Sequence, residues 1–356
     1  MRFAFSDDQL AFRDAVRELL AKVAGPDVLR SVWDGPLGWD PATWSHLAEM
    51  GVLGLLAPES AGGLGLTEID LVLVLEECGR AAVPGPLVEH AAVAVPTLAA
   101  WGTAGGGPSG VPLPDIGGKG TPVGAAGPAP PIDRWLRGAA AGSVVVTAAP
   151  DARVVPFGAE ADLIVVERDG AVHTVERADL TGTDARTSVD RSRRLAAGGW
   201  KRATPLPGAD PALLRARGAA GTAAVLCGLA AHLVETTAAY VKERHQFGVP
   251  VGSFQAVKHH LADALIALEH ARPAVYCAAW SLATGQPTST RDAAFAKVYA
   301  NEAAGLAARV ALQCHGAIGY TFEHDLHLWL KRVWSLQRAW GDTPAHRAAV
   351  AATLVG

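Results

Sequence analysis

Apolar positions recur at helical spacing at both ends of the chain and alternate only in its middle. Near the N-terminus Phe12, Val16, Leu19, Leu20 and Val23 fall on one face of a helix over residues 6–24, with Ser6 and Gln9 forming an S-x-x-Q capping pattern ahead of it. A second helix is expected from Pro41 to Met50. A third, capped by Thr67, runs to Arg80 through Leu71, Val72, Val74, Leu75 and Cys78. Pro84-Gly85-Pro86 breaks the chain, and a further helix covers Leu87 to Trp101. Residues 103–131 are dense in Gly and Pro and almost uncharged, which reads as linker. Short β-branched runs follow, Ser143 to Thr147 and Ala161 to Glu167, then the alternating Ala171 to Glu176 behind the turn signal Asp169-Gly170. From Asp210 the helical period returns, with helices expected at 211–244, 254–284, 288–317, 324–339 and 343–354. Long helices on short connections imply an antiparallel bundle. The pattern predicts a mainly α chain with a small β domain: a helical domain over 1–102, a linker over 103–131, a reduced β domain over 132–207 and a helical bundle over 208–356.

Composition narrows this picture. At 356 residues there is room for two or three domains and a sizeable core. Half the residues are hydrophobic, mean hydropathy is +0.20, and apolar surplus at this size points to subunit interfaces. A net charge of -4 gives no pull toward nucleic acid or membrane. Cys78, Cys227, Cys277 and Cys314 stand singly, as reduced core residues of a cytoplasmic protein. The start MRFAFSDDQ carries no apolar signal region, and no continuous apolar run reaches the ~18 residues that suggest a membrane span.

Two stretches carry candidate chemistry. One contains Arg244-His245-Gln246-Phe247-Gly248, Phe254-Gln255, Lys258 and Leu261-Ala262-Asp263. The other is Gln313-Cys314-His315-Gly316-Ala317-Ile318-Gly319-Tyr320-Thr321. Arg244 offers a fixed fork of donors matched to phosphate oxygens, and Phe247 and Phe254 offer flat apolar faces for a ring system. Gly248 lets a turn leave the preceding helix, and Gly316 and Gly319 let backbone approach a ligand closely. The plainer alternative is a helix end, a turn carrying Val249-Pro250 and a new helix near Ser253. His324 and His327 are three apart, but a polar helix start explains them better than a metal. Consecutive His259 and His260 face different directions on a helix. No G-x-S-x-G occurs, and Gly105-Gly106-Gly107 lacks the strand and G-K-[ST] of a phosphate loop.

Together the two stretches resemble the signatures of the acyl-CoA dehydrogenase family, the second matching its Q-x-x-G-G-x-G-Y-T. Pro58-Glu59-Ser60-Ala61-Gly62-Gly63-Leu64-Gly65 resembles the family's P-E-x-x-G-G-x-G, which closes one side of the acyl pocket. The resemblance covers the N-terminal third and the chain from about Ala212 on. It implies the helical–β–helical fold and FAD as cofactor. It also implies an acyl-CoA substrate and an electron-transfer flavoprotein or similar acceptor. Arg244, Gln246, Phe247, Gly248, Phe254, Gln255, Gln313, Gly316 and Gly319 are then the residues that meet FAD, the arginine and phenylalanine reaching a neighbouring subunit's flavin. The family reaction removes a proton from the substrate α-carbon while the β-hydride passes to the flavin, and it needs a carboxylate base.

The middle of the chain departs from that pattern. The family's T-E-P-x-A-G-S-D has only Thr147-Ala148-Ala149-Pro150-Asp151 as its nearest counterpart, and no K-x-W-I-T precedes Asp162. Where many members read Y-E-G-T, this chain reads Trp340-Gly341-Asp342-Thr343, with glycine in the glutamate's place. The other position of the base falls at Arg215-Ala216-Arg217-Gly218-Ala219, which has no carboxylate. Asp342 is the candidate base on this chain, and it also suits the N-cap of the last helix. Three readings follow. The chain is a subunit of a hetero-oligomer, such as a heterotetramer acting on steroid side-chain thioesters, with the base on a partner; or it is self-sufficient and uses Asp342; or it is a scaffold that binds no flavin.

Overall fold

A computed structural model describes residues 4–103 and 132–355. Nearly all of the Gly/Pro-rich stretch 103–131 lies outside the described residues. Helix α1 (Asp7–Val23) opens with the reciprocal Ser6–Gln9 box that the sequence predicts. Helix α2 (Pro26–Asp34) was not expected; it is short, starts on proline and buries Leu29, Val32 and Trp33. Helices α3 (Pro41–Glu49) and α4 (Glu68–Arg80) follow, α3 capped by Asp40 and α4 by Thr67 with Asp70.

The helix expected from Leu87 to Trp101 begins instead as a π-helical segment, Val88–Ala94, and continues as α5 (Val95–Thr103). All seven residues of the π segment are buried. The His90 ring lies 3.1 Å from the Ala139 carbonyl and accepts the Val146 N–H at 3.1 Å. The segment is thereby tied to helix α6 (Ile132–Ala140), which the sequence reading missed, and to the first strand.

Among the described residues, seven strands build the middle of the molecule: β1 (Val146–Ala149), β2 (Val155–Pro156), β3 (Leu163–Arg168), β4 (Ala171–Glu176), β5 (Leu180–Arg186), β6 (Leu195–Trp200) and β7 (Thr204–Pro205). One sheet has the order β1-β3-β4-β7 and the other β2-β6-β5. β1 starts at Val146 rather than at Ser143 because Gly142, at φ +70°, is still turning the chain out of α6. Asp169 and Gly170 make the β3–β4 turn, both at positive φ.

The C-terminal half is helical: α7 (Pro211–Glu243), α8 (Gln255–Ala283), α9 (Ser289–His315), α10 (Leu326–Leu336) and α11 (Thr343–Val355). α7 crosses α4 with the backbones touching. A Cβ on Gly228 would lie 1.8 Å from the Glu76 carbonyl oxygen, and one on Gly79 would lie 2.1 Å from that of Val225. α7 is long and apolar enough to cross a membrane by length and composition, although no continuous apolar run announces it, and 67% of its most apolar window is buried inside the fold.

Candidate functional site

Helix α7 ends one residue earlier than its pattern suggested, because the chain turns into a two-residue ladder, β8 (His245–Gln246) against β9 (Val249–Pro250). Phe247 and Gly248 form the tip at φ +53° and +80°, so Gly248 serves the hairpin turn rather than the helix end. The hairpin holds Phe247 out in solvent, 90% exposed, with Phe254 edge-on to it at a centroid distance of 6.2 Å. Arg244, Gln246 and Gln255 are also exposed.

The second stretch lies at the same end of the bundle. Tyr240, one turn before Arg244, stacks on His315 at 4.2 Å, and His324 meets both rings edge-on. His315 donates to the Ala311 carbonyl at 2.7 Å, and burial lowers its pKa. Gln313 and Gly316 are exposed, Gly316 ending α9 at φ +65° with open space where a Cβ would stand. Gly319 differs. It is buried, and a Cβ there would press on His315, Leu312 and Leu326, so its lack of a side chain serves packing. The Pro58–Gly65 loop closes on itself, Gly63 N–H to Pro58 and Gly65 N–H to Ala57 at 2.8 Å.

A cleft of about 780 Å³ opens between the strand loops and the end of α10, lined by Pro150, Asp151, Arg153, Trp334, Arg338 and Trp340 among others. Thr147 is absent from its walls, because its buried hydroxyl donates to the Pro156 carbonyl at 2.6 Å. Asp151 is paired with Arg153 at 2.8 Å, and the hydrogen bond from that guanidinium holds its carboxyl below the usual range. Both places where a base is expected meet beside this cleft. The Trp340 ring packs on Gly218, where a Cβ would lie 2.1 Å from it. Arg215 is paired with Glu167, and Arg217 with Glu68 at 3.0 Å. Asp342 is exposed and its Oδ1 accepts the Ala345 N–H at 3.0 Å, capping α11.

The turn that carries Trp340 rests on a residue that sequence reasoning missed. Lys297 is fully buried, and its Nζ donates to Asn301 Oδ1 at 2.8 Å and to the carbonyls of Leu336, Gln337 and Gly341 at 3.2–3.3 Å. Burial, with Arg193 nearby, pulls its pKa down to about 7. Its signal is a single lysine on an otherwise alanine-lined face, Ala293, Ala296, Ala300 and Ala304, with asparagine four residues on.

The sequence model described as acyl-CoA dehydrogenase, N-terminal domain, matches residues 6–105, and that described as acyl-CoA dehydrogenase, C-terminal domain, matches residues 214–355. The chain is 34% identical over 333 residues to acyl-CoA dehydrogenase IpdE2 of Mycolicibacterium smegmatis, covering 92% of each chain. The chain belongs to the acyl-CoA dehydrogenase family. IpdE2 of Mycobacterium tuberculosis is 33% identical over 332 residues, 92% of this chain and 91% of that one. Among solved structures, the Tcur3481-Tcur3483 steroid ACAD superposes with a TM-score of 0.84 at 25% identity, over 98% of each chain. The ChsE4-ChsE5 complex of M. tuberculosis gives 0.84 at 22% identity, over 100% of this chain and 99% of that one, which shows the shared fold.

Members of the acyl-CoA dehydrogenase family are oxidoreductases acting on CH–CH bonds with FAD as cofactor. The residues of the exposed end fit a dinucleotide. A guanidinium and amides suit phosphate oxygens, and the exposed Phe247–Phe254 pair suits a ring.

Proposed function

We propose that this chain is one subunit of an FAD-dependent acyl-CoA dehydrogenase that forms an α,β double bond in an acyl-CoA thioester, with the catalytic base on a partner chain. In this reading Arg244 and Gln246 pair with the cofactor's phosphates and Phe247 lies against its ring system across the subunit boundary. Gln313 and Gly316 complete that half-site. The cofactor, when bound, supplies the hydride acceptor. The α-proton leaves to the partner's carboxylate. This chain's own residues bind and orient the cofactor and hold no proton of the substrate.

One observation carries the reading. At the junction of the two base positions the structure has tryptophan on glycine, while Arg244, Gln246 and Phe247 stand exposed at the far end of the bundle. The likeness to a steroid ACAD supports steroid-derived thioesters as the substrate class and a hetero-oligomer, such as a heterotetramer, as the assembly. The test is expression alone and with a candidate partner dehydrogenase chain, followed by mass and flavin stoichiometry. Flavin and turnover are expected only in the co-expressed complex. Arg244→Ala and Phe247→Ala are expected to lower its flavin content by at least half. A yellow, fully active homo-oligomer of this chain would overturn the reading.

A further inference from the structure

Arg193 stands between two spaces. On one side is the open cleft of about 780 Å³ that Trp334, Trp340 and Gly341 also line. On the other is a small cavity of about 30 Å³, room for one water, whose walls combine Cys78, Val83, Leu87 and Leu336 with Ser192 and Arg332. The Arg193 side chain is 10% exposed, and its Nη1 lies 3.3 Å from Oε1 of Glu89, which is 3% exposed on the π segment. An ion pair here stands between an open cleft and a smaller cavity with both apolar and charged walls.

The turn that carries Arg193 is fixed. Its N–H donates to the Asp190 carbonyl at 3.0 Å. Buried Asp190 accepts from the Ser192 hydroxyl at 2.6 Å and is paired with Arg332. Arg332 in turn donates to the Val83 carbonyl at 2.7 Å and to Ser192 Oγ at 2.6 Å. Each charge in this network has an opposite charge or acceptor beside it, the condition under which buried ions persist. The partition is therefore anchored from the β5–β6 loop, the π segment and α10 together, and Arg193 cannot swing aside without leaving Glu89 buried and unpaired.

We propose that Arg193, held by Glu89, fixes the depth of the cleft on this chain and bars a linear acyl tail from its interior. The inference rests on the reading that the chain works in an acyl-CoA dehydrogenase assembly. It adds that a long tail is housed in the partner and not here.

Removing both charges together avoids stranding either. Arg193→Ala with Glu89→Ala should join the cavity to the cleft. Arg193→Met with Glu89→Gln removes the charges but keeps the bulk and serves as the control. The probe is hexadecanoyl-CoA, titrated calorimetrically into the co-purified complex, with acetyl-CoA as the short reference. The wild-type complex and the bulk-keeping control are expected to bind hexadecanoyl-CoA at one site per pair of chains, and the alanine pair at two. The cavity and the space vacated by the two truncated side chains together admit at least two further methylenes, enough to favour the long probe over acetyl-CoA at the new site by roughly tenfold. An alanine pair that retains the wild-type flavin content and gains no second site would overturn the proposal, as would a wild-type complex that already binds hexadecanoyl-CoA on this chain. Flavin content and turnover of the same samples report separately on the partner reading.

Discussion

His90 is buried completely, and its two ring nitrogens serve different partners. Nδ1 accepts the Val146 N–H, so the proton sits on Nε2 and goes to the Ala139 carbonyl. Burial lowers its pKa from 6.5 to about 4. The unfolded chain therefore binds a proton between those values that the folded chain refuses. The stability this group contributes is complete above about pH 6.5 and is lost as pH falls toward 4, by at most roughly 3 kcal/mol. Denaturant titrations at pH 7 and pH 4.5 should show the loss, and His90→Gln should reduce the difference at a cost to stability at pH 7. Asp342 gives a second expectation. Asp342→Ala should cost about 1 kcal/mol through loss of the α11 cap, Asp342→Asn much less, with turnover of the complex unchanged in both. Loss of turnover in either variant would instead favour Asp342 as the base. The Ser6–Gln9 box was legible because both partners lie within one turn of chain. His90 and Lys297 were not, because the backbone groups they hold lie 39 to 56 residues away.

Among the elements, the crossing of α4 and α7 is the tightest joint described. Helices usually pack 8–10 Å apart on side chains, but here Gly79 and Gly228 let backbone meet backbone. Gly228→Ala should destabilise the fold by about 1–3 kcal/mol or more, because the Glu76 carbonyl it would meet is main chain and cannot step aside. Thermal melting of the variant measures this, and the same change at exposed Gly285, although strained by its φ of +63°, meets nothing within 4 Å and should cost less. The long helices were readable from their period. The π segment was not, since every residue from Val88 to Ala94 is buried and an all-round buried helix has no polar face to set a phase. Strands β5 to β7 were missed because Thr181-Gly182 and Gly198-Gly199 read as loop in one dimension.

For the whole molecule, one group of exposed apolar side chains lies where the two motifs meet, with Phe247, Phe254, Ile318, Tyr320 and Phe322 all in contact with solvent. Surfaces of this kind are usually covered by another subunit. Sedimentation of the co-expressed complex should show a stable oligomer. Phe247→Asp should lower its mass or its flavin content, and an unchanged complex would remove that surface from the interface. Arg244, Gln246, Phe247 and Gln313 were named from the sequence and stand exposed; the cleft was not, because it is assembled from loops near positions 150, 190 and 340.

The backbone at position 341 limits which side chain could stand there. Gly341 sits at φ +100°, and a side chain there would meet His346 at 2.6 Å. A glutamate returned to this position would be strained before it touched a substrate. Neighbouring Trp340, itself at φ +57°, has settled over Gly218 in a way that helps keep the turn in that shape. Under the partner reading, Gly341→Glu should yield a less stable protein and no rescue of solitary turnover.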